Sequence, residues 1–111
     1  MKVTLKLTTT GRRSGQPRVV TLYGFEDGDR MVIVGSLGGA ARDPWWAANL
    51  RAEPRATVTV GRNAREVRAH EADGPDRDRL WLLVCEGFPL YRTYQRKTTR
   101  TIPLFVLEPV A

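Results

Sequence analysis

The chain is poor in the groups that many enzymes use as ligands or nucleophiles, with one cysteine, Cys85, and one histidine, His70, in 111 residues. A single cysteine excludes an internal disulfide and a cysteine-rich zinc site, and it fits a reducing compartment. His70 has no serine, cysteine or carboxylate near it in a triad-like spacing, so it reads as a rim or surface residue. Cys85 falls in an apolar helical stretch and reads as inert packing. Long apolar runs are missing as well. The longest, Leu80 to Cys85, is far short of the roughly 20 residues that a spanning helix needs. Met1-Lys2-Val3-Thr4 leads into alternation and not into an apolar signal core. A cytoplasmic chain without stable membrane insertion is expected.

Acidic residues are absent from two stretches. Met1 to Phe25 carries Lys2, Lys6, Arg12, Arg13 and Arg18 with no acid, and Gly87 to Leu107 carries Arg92, Arg96, Lys97 and Arg100 with none. The formal net charge is +6, which calls for an anionic partner. If the two stretches meet in space they form one anion-attracting surface. The length suits a single domain, residues 1–111, able to bury a core without disulfides or metal.

Hydrophobic periodicity supplies the elements. Met1 to Thr9 alternates Val3, Leu5, Leu7 against Thr4, Lys6, Thr8, the period of a half-buried strand. Gly11 to Pro17 is a turn, and Arg18 to Glu26 resumes as a strand. Asp27-Gly28-Asp29 signals a hairpin into Met31 to Gly35, whose continuous apolar character predicts cover on both faces. Ser36 to Ala41 is small and patternless, hence a loop. Asp43-Pro44 predicts an N-cap followed by proline at the first helical position, with a helix to about Ala52. Trp46 and Leu50 fall on one face of it, Trp45 and Asn49 on the next. Arg55 to Val60 and Ala64 to Glu71 are two strands joined at Gly61-Arg62-Asn63. A second helix runs from Asp73-Gly74-Pro75 to about Glu86, and a short third carries Tyr91, Tyr94 and Gln95. Thr101 to Glu108 is the last strand, with Pro103 pointing to an edge or a strand start. The sum is a mainly β chain (α+β), six antiparallel strands with two or three short helices at the rim, best closed as a barrel because closure removes exposed edges.

Three segments can carry chemistry. Thr8 to Arg18 is a glycine-bracketed turn with free backbone donors, hydroxyls and the guanidiniums of Arg12, Arg13 and Arg18, which grip phosphate or carboxylate oxygens in pairs. On spacing alone it is equally a solvated basic hairpin, being neither a P-loop nor a GxGxxG element. Ser36-Leu37-Gly38-Gly39 lets a ligand approach the backbone, or simply connects strand to helix. Trp45, Trp46, Tyr91 and Tyr94 could line a pocket, or cover a core as such residues usually do. Neither hydrolytic machinery nor a metal-ligand set is visible.

Taken in order, LTTTGRRSGQPR (7–18), SLGGAARDPWWAANL (36–50) and YRTYQRKTTRTIPLFVLEP (91–109) resemble the deazaflavin-dependent nitroreductase family of actinobacterial split-barrel reductases. The likeness runs over essentially the whole chain. It implies a six-stranded split β-barrel binding coenzyme F420, a deazaflavin with a phosphate and a carboxylate-rich glutamyl tail; FMN is expected to bind more weakly. The resemblance puts Arg12, Arg13, Ser14 and Arg18 around the phosphate and tail. Ser36, Leu37, Gly38, Gly39, Trp46 and Asn49 match positions on the deazaflavin side, and Tyr91 and Tyr94 match tyrosines near the substrate. Hydride transfer to a small electron-poor acceptor is implied, a quinone, an activated alkene or a nitroaromatic compound.

Leu37 stands where relatives often have lysine, and Phe88 where some have tyrosine, making the acceptor side more apolar. The chain begins at its first strand, without the helical extension of the nitroreductase prototype, so the substrate cover and membrane association linked to that extension are not expected. Two other readings stay open: a non-catalytic barrel holding F420 or a lipid, and a nucleic-acid module. The last is disfavoured because the aromatics are not interleaved with the basic run. Split barrels include monomers and homodimers, and both are compatible with the sequence.

Overall fold

A computed structural model describes residues 2–110. The order is β1 (Lys2–Thr10), β2 (Pro17–Asp27), β3 (Arg30–Val34), a 3-10 turn (Leu37–Gly39), α1 (Trp45–Ala52), β4 (Arg55–Val60), β5 (Asn63–Glu71), α2 (Gly74–Gly87), α3 (Leu90–Arg96) and β6 (Leu104–Pro109). All six strands pair antiparallel in the cyclic order β1-β2-β3-β6-β5-β4, and β1 with β4 closes the barrel.

Alternation decides which side chains go inside. Leu5 and Leu7 of β1, Ile33 of β3, Val67 of β5, and Phe105 and Leu107 of β6 fill one core together with Trp46 and Leu50, as α1 packs onto the barrel. The opposite faces of β3 and β6, carrying Val32, Val34, Leu104 and Val106, pack with Phe25 against Leu80 and Val84 of α2 and Tyr91 of α3. Two-sided burial is therefore why β3 reads as an uninterrupted apolar run. Each fully buried aliphatic or aromatic side chain contributes about 1.5–3 kcal/mol.

Strand and helix boundaries match the sequence reading within a residue or so, with three differences. Asp43 does not cap α1; Pro44 occupies the cap position, with ψ 152°. The Asp43 carboxylate instead accepts from Arg100 Nη1 at 2.7 Å and from Arg51 Nη1 at 2.8 Å. Two charge-assisted bonds outweigh one capping bond. The last strand starts at Leu104, because Gln95 takes up the preceding segment, donating to the Arg100 carbonyl at 2.7 Å and accepting from the Ile102 amide at 2.9 Å. Pro103 thus lies just before the strand, and its carbonyl accepts from the Gly35 amide at 2.9 Å. Ser36 to Ala41, expected as a patternless loop, contains the 3-10 turn.

The β2–β3 hairpin is bolted to α2. Asp27 accepts from Arg79 at 3.1 and 3.0 Å and from Arg30 at 2.6 Å, and these guanidiniums, Arg79 foremost, hold its carboxyl at about 2. A depressed carboxylate stabilises the fold fully above its unfolded value and loses that contribution as pH falls through the folded one. Asp27→Asn should therefore cost about 1 kcal/mol at pH 7, solvent screening at the exposed Arg79 included. Thermal melts of parent and variant should converge as pH falls from about 4 toward about 2. A gap that stays constant through that window would assign the effect to packing.

Candidate active site

The turn after β1 is held in place from α1. Asn49 is buried, and its amide bridges two elements: Nδ2 donates to Thr9 Oγ1 at 3.1 Å, and Oδ1 accepts from the Arg12 backbone N–H at 3.1 Å. This explains why a threonine, Thr9, can sit on the buried face of β1 beside Leu5 and Leu7. With its backbone anchored, the turn projects Arg12 and Arg13 into solvent, and Arg18 at the start of β2 is exposed as well. Arg18 Nη2 donates to Ser14 Oγ at 3.4 Å. Among the described residues none of these three arginines pairs with a carboxylate. They and Ser14 surround a cavity of about 380 Å³ that ends against Trp45 and Asn49.

Trp45 also walls a second cavity, of about 620 Å³. Here the barrel is split: β2 pairs with β1 from Pro17 to Phe25, but with β3 only from Phe25 to Asp27. The length of β2 that β3 does not pair contributes Val20, Leu22 and Tyr23 to the wall, Ser36 to Gly38 form another side, and Phe88, Tyr91 and Tyr94 the far one. The loop approaches α3 closely. A Cβ on Gly39 (φ +85°) would stand 2.8 Å from the Tyr94 carbonyl oxygen and 3.0 Å from Lys97 Cβ. Leu37, Gly38 and Gly39 are all left-handed, at φ 45°, 63° and 85°. For leucine that conformation costs about 1–2 kcal/mol.

The two tyrosines share this cavity, as their spacing on α3 predicts, with ring centroids 6.3 Å apart. Tyr91 is only 5% exposed, with Phe88 and Phe25 edge-on to its ring at 4.8 and 5.8 Å. Burial pushes its phenol well above the usual range, so it stays protonated. Among the described residues no buried side-chain polar atom lacks a partner, and none bonds the Tyr91 hydroxyl, so that oxygen reaches the cavity surface.

Not every sequence candidate plays the part its residue type suggests. Trp46 borders the cavity but is 3% exposed and packs edge-on against Phe105 at 5.8 Å, whereas Trp45 is 46% exposed and joins the two cavities. The pairing of Trp45 with Asn49 on one helix face was the available signal. Tyr23 was not singled out from sequence; Lys2 Nζ lies 4.4 Å from its ring centroid, and Phe88 5.5 Å. His70 is exposed, its Nδ1 3.6 Å from Glu108, and Cys85 is buried with its thiol pushed up by desolvation. No cluster of three metal-capable side chains occurs among the described residues. A cavity of about 670 Å³ opens between the β2–β3 and β4–β5 hairpins and contains none of the candidates. The two acid-free stretches meet only in part. Lys97 flanks Gly39 and Tyr94, while Arg100 is turned inward.

The sequence profile of the F420H(2)-dependent quinone reductases matches residues 1–109. The chain belongs to this family. An F420H(2)-dependent quinone reductase of Mycobacterium tuberculosis is 41% identical over 109 residues, 93% of this chain and 71% of that protein. A solved F420-H2 dependent reductase superposes with a TM-score of 0.88 at 37% identity, covering 95% of this chain and 93% of its own. The haem storage protein HutZ of Vibrio cholerae, at TM-score 0.73 and 16% identity over 97% of this chain and 82% of its own, shares the barrel alone. As a family member the chain is an oxidoreductase whose coenzyme is F420.

The cavities suit that coenzyme. A phosphate and several carboxylates need cationic donors that are not already neutralised, which Arg12, Arg13 and Arg18 supply. A planar deazaflavin needs flat or backbone surfaces, and Trp45 and Ser36 to Gly38 line the same cavity. No helix among the described residues is long and apolar enough to cross a membrane.

Proposed function

We propose that the protein oxidises reduced F420 with a quinone-type acceptor bound among Tyr23, Phe88, Tyr91 and Tyr94. The observation that carries this reading is Trp45, the common wall of a basic cavity and an aromatic one. A ligand with an anionic tail and a planar head fits that pair of cavities. In this reading Arg12, Arg13, Ser14 and Arg18 hold phosphate and carboxylate oxygens. Ser36, Leu37, Gly38 and Gly39 offer backbone to the deazaflavin edge, with Trp45 and Trp46 beside it. Asn49 acts one step removed, through the Arg12 amide. When bound, reduced F420 supplies a hydride from its central ring.

The chain's own share is orientation and protons. The aromatic walls exclude water and favour a flat, electron-poor acceptor. Tyr91, held protonated by burial, donates a hydrogen bond to the acceptor oxygen and is a proton source rather than a base. Tyr94 lies beside it on the same helix. A homologous chain solved as a domain-swapped dimer, 37% identical with a TM-score of 0.88 over 95% of this chain and 79% of its own, supports a homodimer as the assembly.

Tyr→Phe keeps the ring and deletes the hydroxyl. Phe at one of positions 91 and 94 should lower turnover by roughly ten- to a hundredfold, about 1.4–2.7 kcal/mol, with little change in melting temperature or coenzyme affinity. Steady-state oxidation of reduced F420 by a quinone reads this directly. Parent-like turnover in both single variants and the double would make the tyrosines packing. Tight coenzyme binding by the parent with no oxidation by any quinone would reduce the protein to a carrier.

A further inference from the structure

Arg100 sits in the connection before β6, only 14% exposed, and spends its guanidinium on the loop that walls the aromatic cavity. Nε donates to the Ala40 carbonyl at 2.8 Å, Nη1 to the Gly35 carbonyl at 3.0 Å, and Nη2 to the Ser36 carbonyl at 2.8 Å. Nη1 also donates to Asp43 Oδ1 at 2.7 Å. Four of the five guanidinium donors are thereby used within one loop.

Both ends of this clamp are themselves fastened. The second oxygen of Asp43 accepts from Arg51, whose guanidinium forks onto Glu71 of β5 at 2.9 and 3.2 Å. The main chain of Arg100 is held by Gln95 of α3, the helix that carries Tyr91 and Tyr94. One side chain thus ties the Ser36–Gly39 wall to the tyrosine wall.

The loop needs such a restraint. Its internal bonds are two, Gly39 N–H to the Ser36 carbonyl at 2.9 Å and Ala40 N–H to the Leu37 carbonyl at 3.1 Å. Leu37 is left-handed without being glycine, a conformation that persists only where surroundings over-determine it. Arg100 takes the carbonyls of Gly35, Ser36 and Ala40, while Ser36, Leu37 and Gly38 line the cavity.

We propose that Arg100 is a positioning residue for the coenzyme site, holding the Ser36–Gly39 loop, left-handed from Leu37 to Gly39, in the shape that presents its backbone to the deazaflavin. The inference rests on the placement of the deazaflavin against that loop. Lysine cannot substitute, because one ammonium cannot reach three separated carbonyls and a carboxylate at once.

The test uses Arg100→Ala and Arg100→Lys, with Val67→Ala as a destabilised control whose buried side chain belongs to the barrel core. Amide exchange is measured without coenzyme, and F420 affinity by fluorescence titration. In both Arg100 variants the Gly39 and Ala40 amides should exchange at least about tenfold faster, and the F420 dissociation constant should rise about tenfold or more. Free guanidinium ion should restore part of both in Arg100→Ala, while Val67→Ala should show neither local effect. Should Arg100→Ala fail to fold, Arg100→Lys carries the same two readouts. Unchanged exchange at Gly39 and Ala40 in the folded variants would mean that Arg100 does not hold the loop. Faster exchange with parent-like affinity would mean that the loop is held but the coenzyme lies elsewhere. Equal losses in Val67→Ala would reduce the role to general stability. Each of these three results overturns the proposal, and only the second strikes at the placement beneath it.

Discussion

Replacing Arg12 and Arg13 together by alanine should weaken F420 binding by about 2–4 kcal/mol, roughly thirty- to a thousandfold, while the melting temperature stays within a degree or two. The two effects separate because the turn is held by its backbone and not by these side chains. Asn49 accepts from the Arg12 amide, and Gly11 and Gly15 close the turn through their own amides at 2.8 Å. Both guanidiniums are exposed and free of carboxylate partners among the described residues, so removing them leaves nothing buried and unpaired. Salt gives a second reading. Contacts between exposed charges are screened, so raising ionic strength should weaken the parent more than the double variant. Isothermal or fluorescence titration at two salt concentrations measures both. Unchanged affinity in the double variant would put the anionic tail outside this turn.

The second large effect is expected at Gly39, and its contrast is Gly38 next door. Both are left-handed, so alanine at either pays about 1 kcal/mol or somewhat more for the backbone conformation. Only at Gly39 does the new methyl also meet main chain, the Tyr94 carbonyl at 2.8 Å, whereas at Gly38 it points into open space. Backbone of α3 cannot rotate away as a side-chain tip would. The loop must lift, parting the two walls of the aromatic cavity. Gly39→Ala should therefore lose about 2–4 kcal/mol in stability, and F420 affinity should fall tenfold or more. Gly38→Ala should lose only the backbone part, about 1 kcal/mol or somewhat more in stability. Paired thermal melts and coenzyme titrations decide it, and indistinguishable variants would show that the loop does not rest on α3 in solution.

What could be read without coordinates was what depends on neighbours in the chain. Alternation in β1 and the glycine-bracketed turn at Gly11 to Pro17 are local patterns, and the strands and the basic turn lie where those patterns put them. Helical spacing likewise placed Tyr91 beside Tyr94 and Trp45 beside Asn49. Local pattern also misled. Asp43-Pro44 has the composition of a helix cap, but the carboxylate is claimed by Arg100 and Arg51.

A six-stranded barrel, its family and a basic turn suited to an anionic coenzyme were legible in the chain, because periodicity, turn residues and ordered motifs are written in short windows. The folded chain alone reveals that Trp45 and not Trp46 lines both cavities, that Tyr23 lines the aromatic one, and that the Arg100 guanidinium is turned onto backbone carbonyls and not into solvent. The partners of the Arg100 guanidinium lie 57 to 65 positions away in the chain. A guanidinium has the same spelling whether it meets water, a phosphate or three carbonyls. Closing the barrel brings those carbonyls to it, and that proximity is a property of the fold.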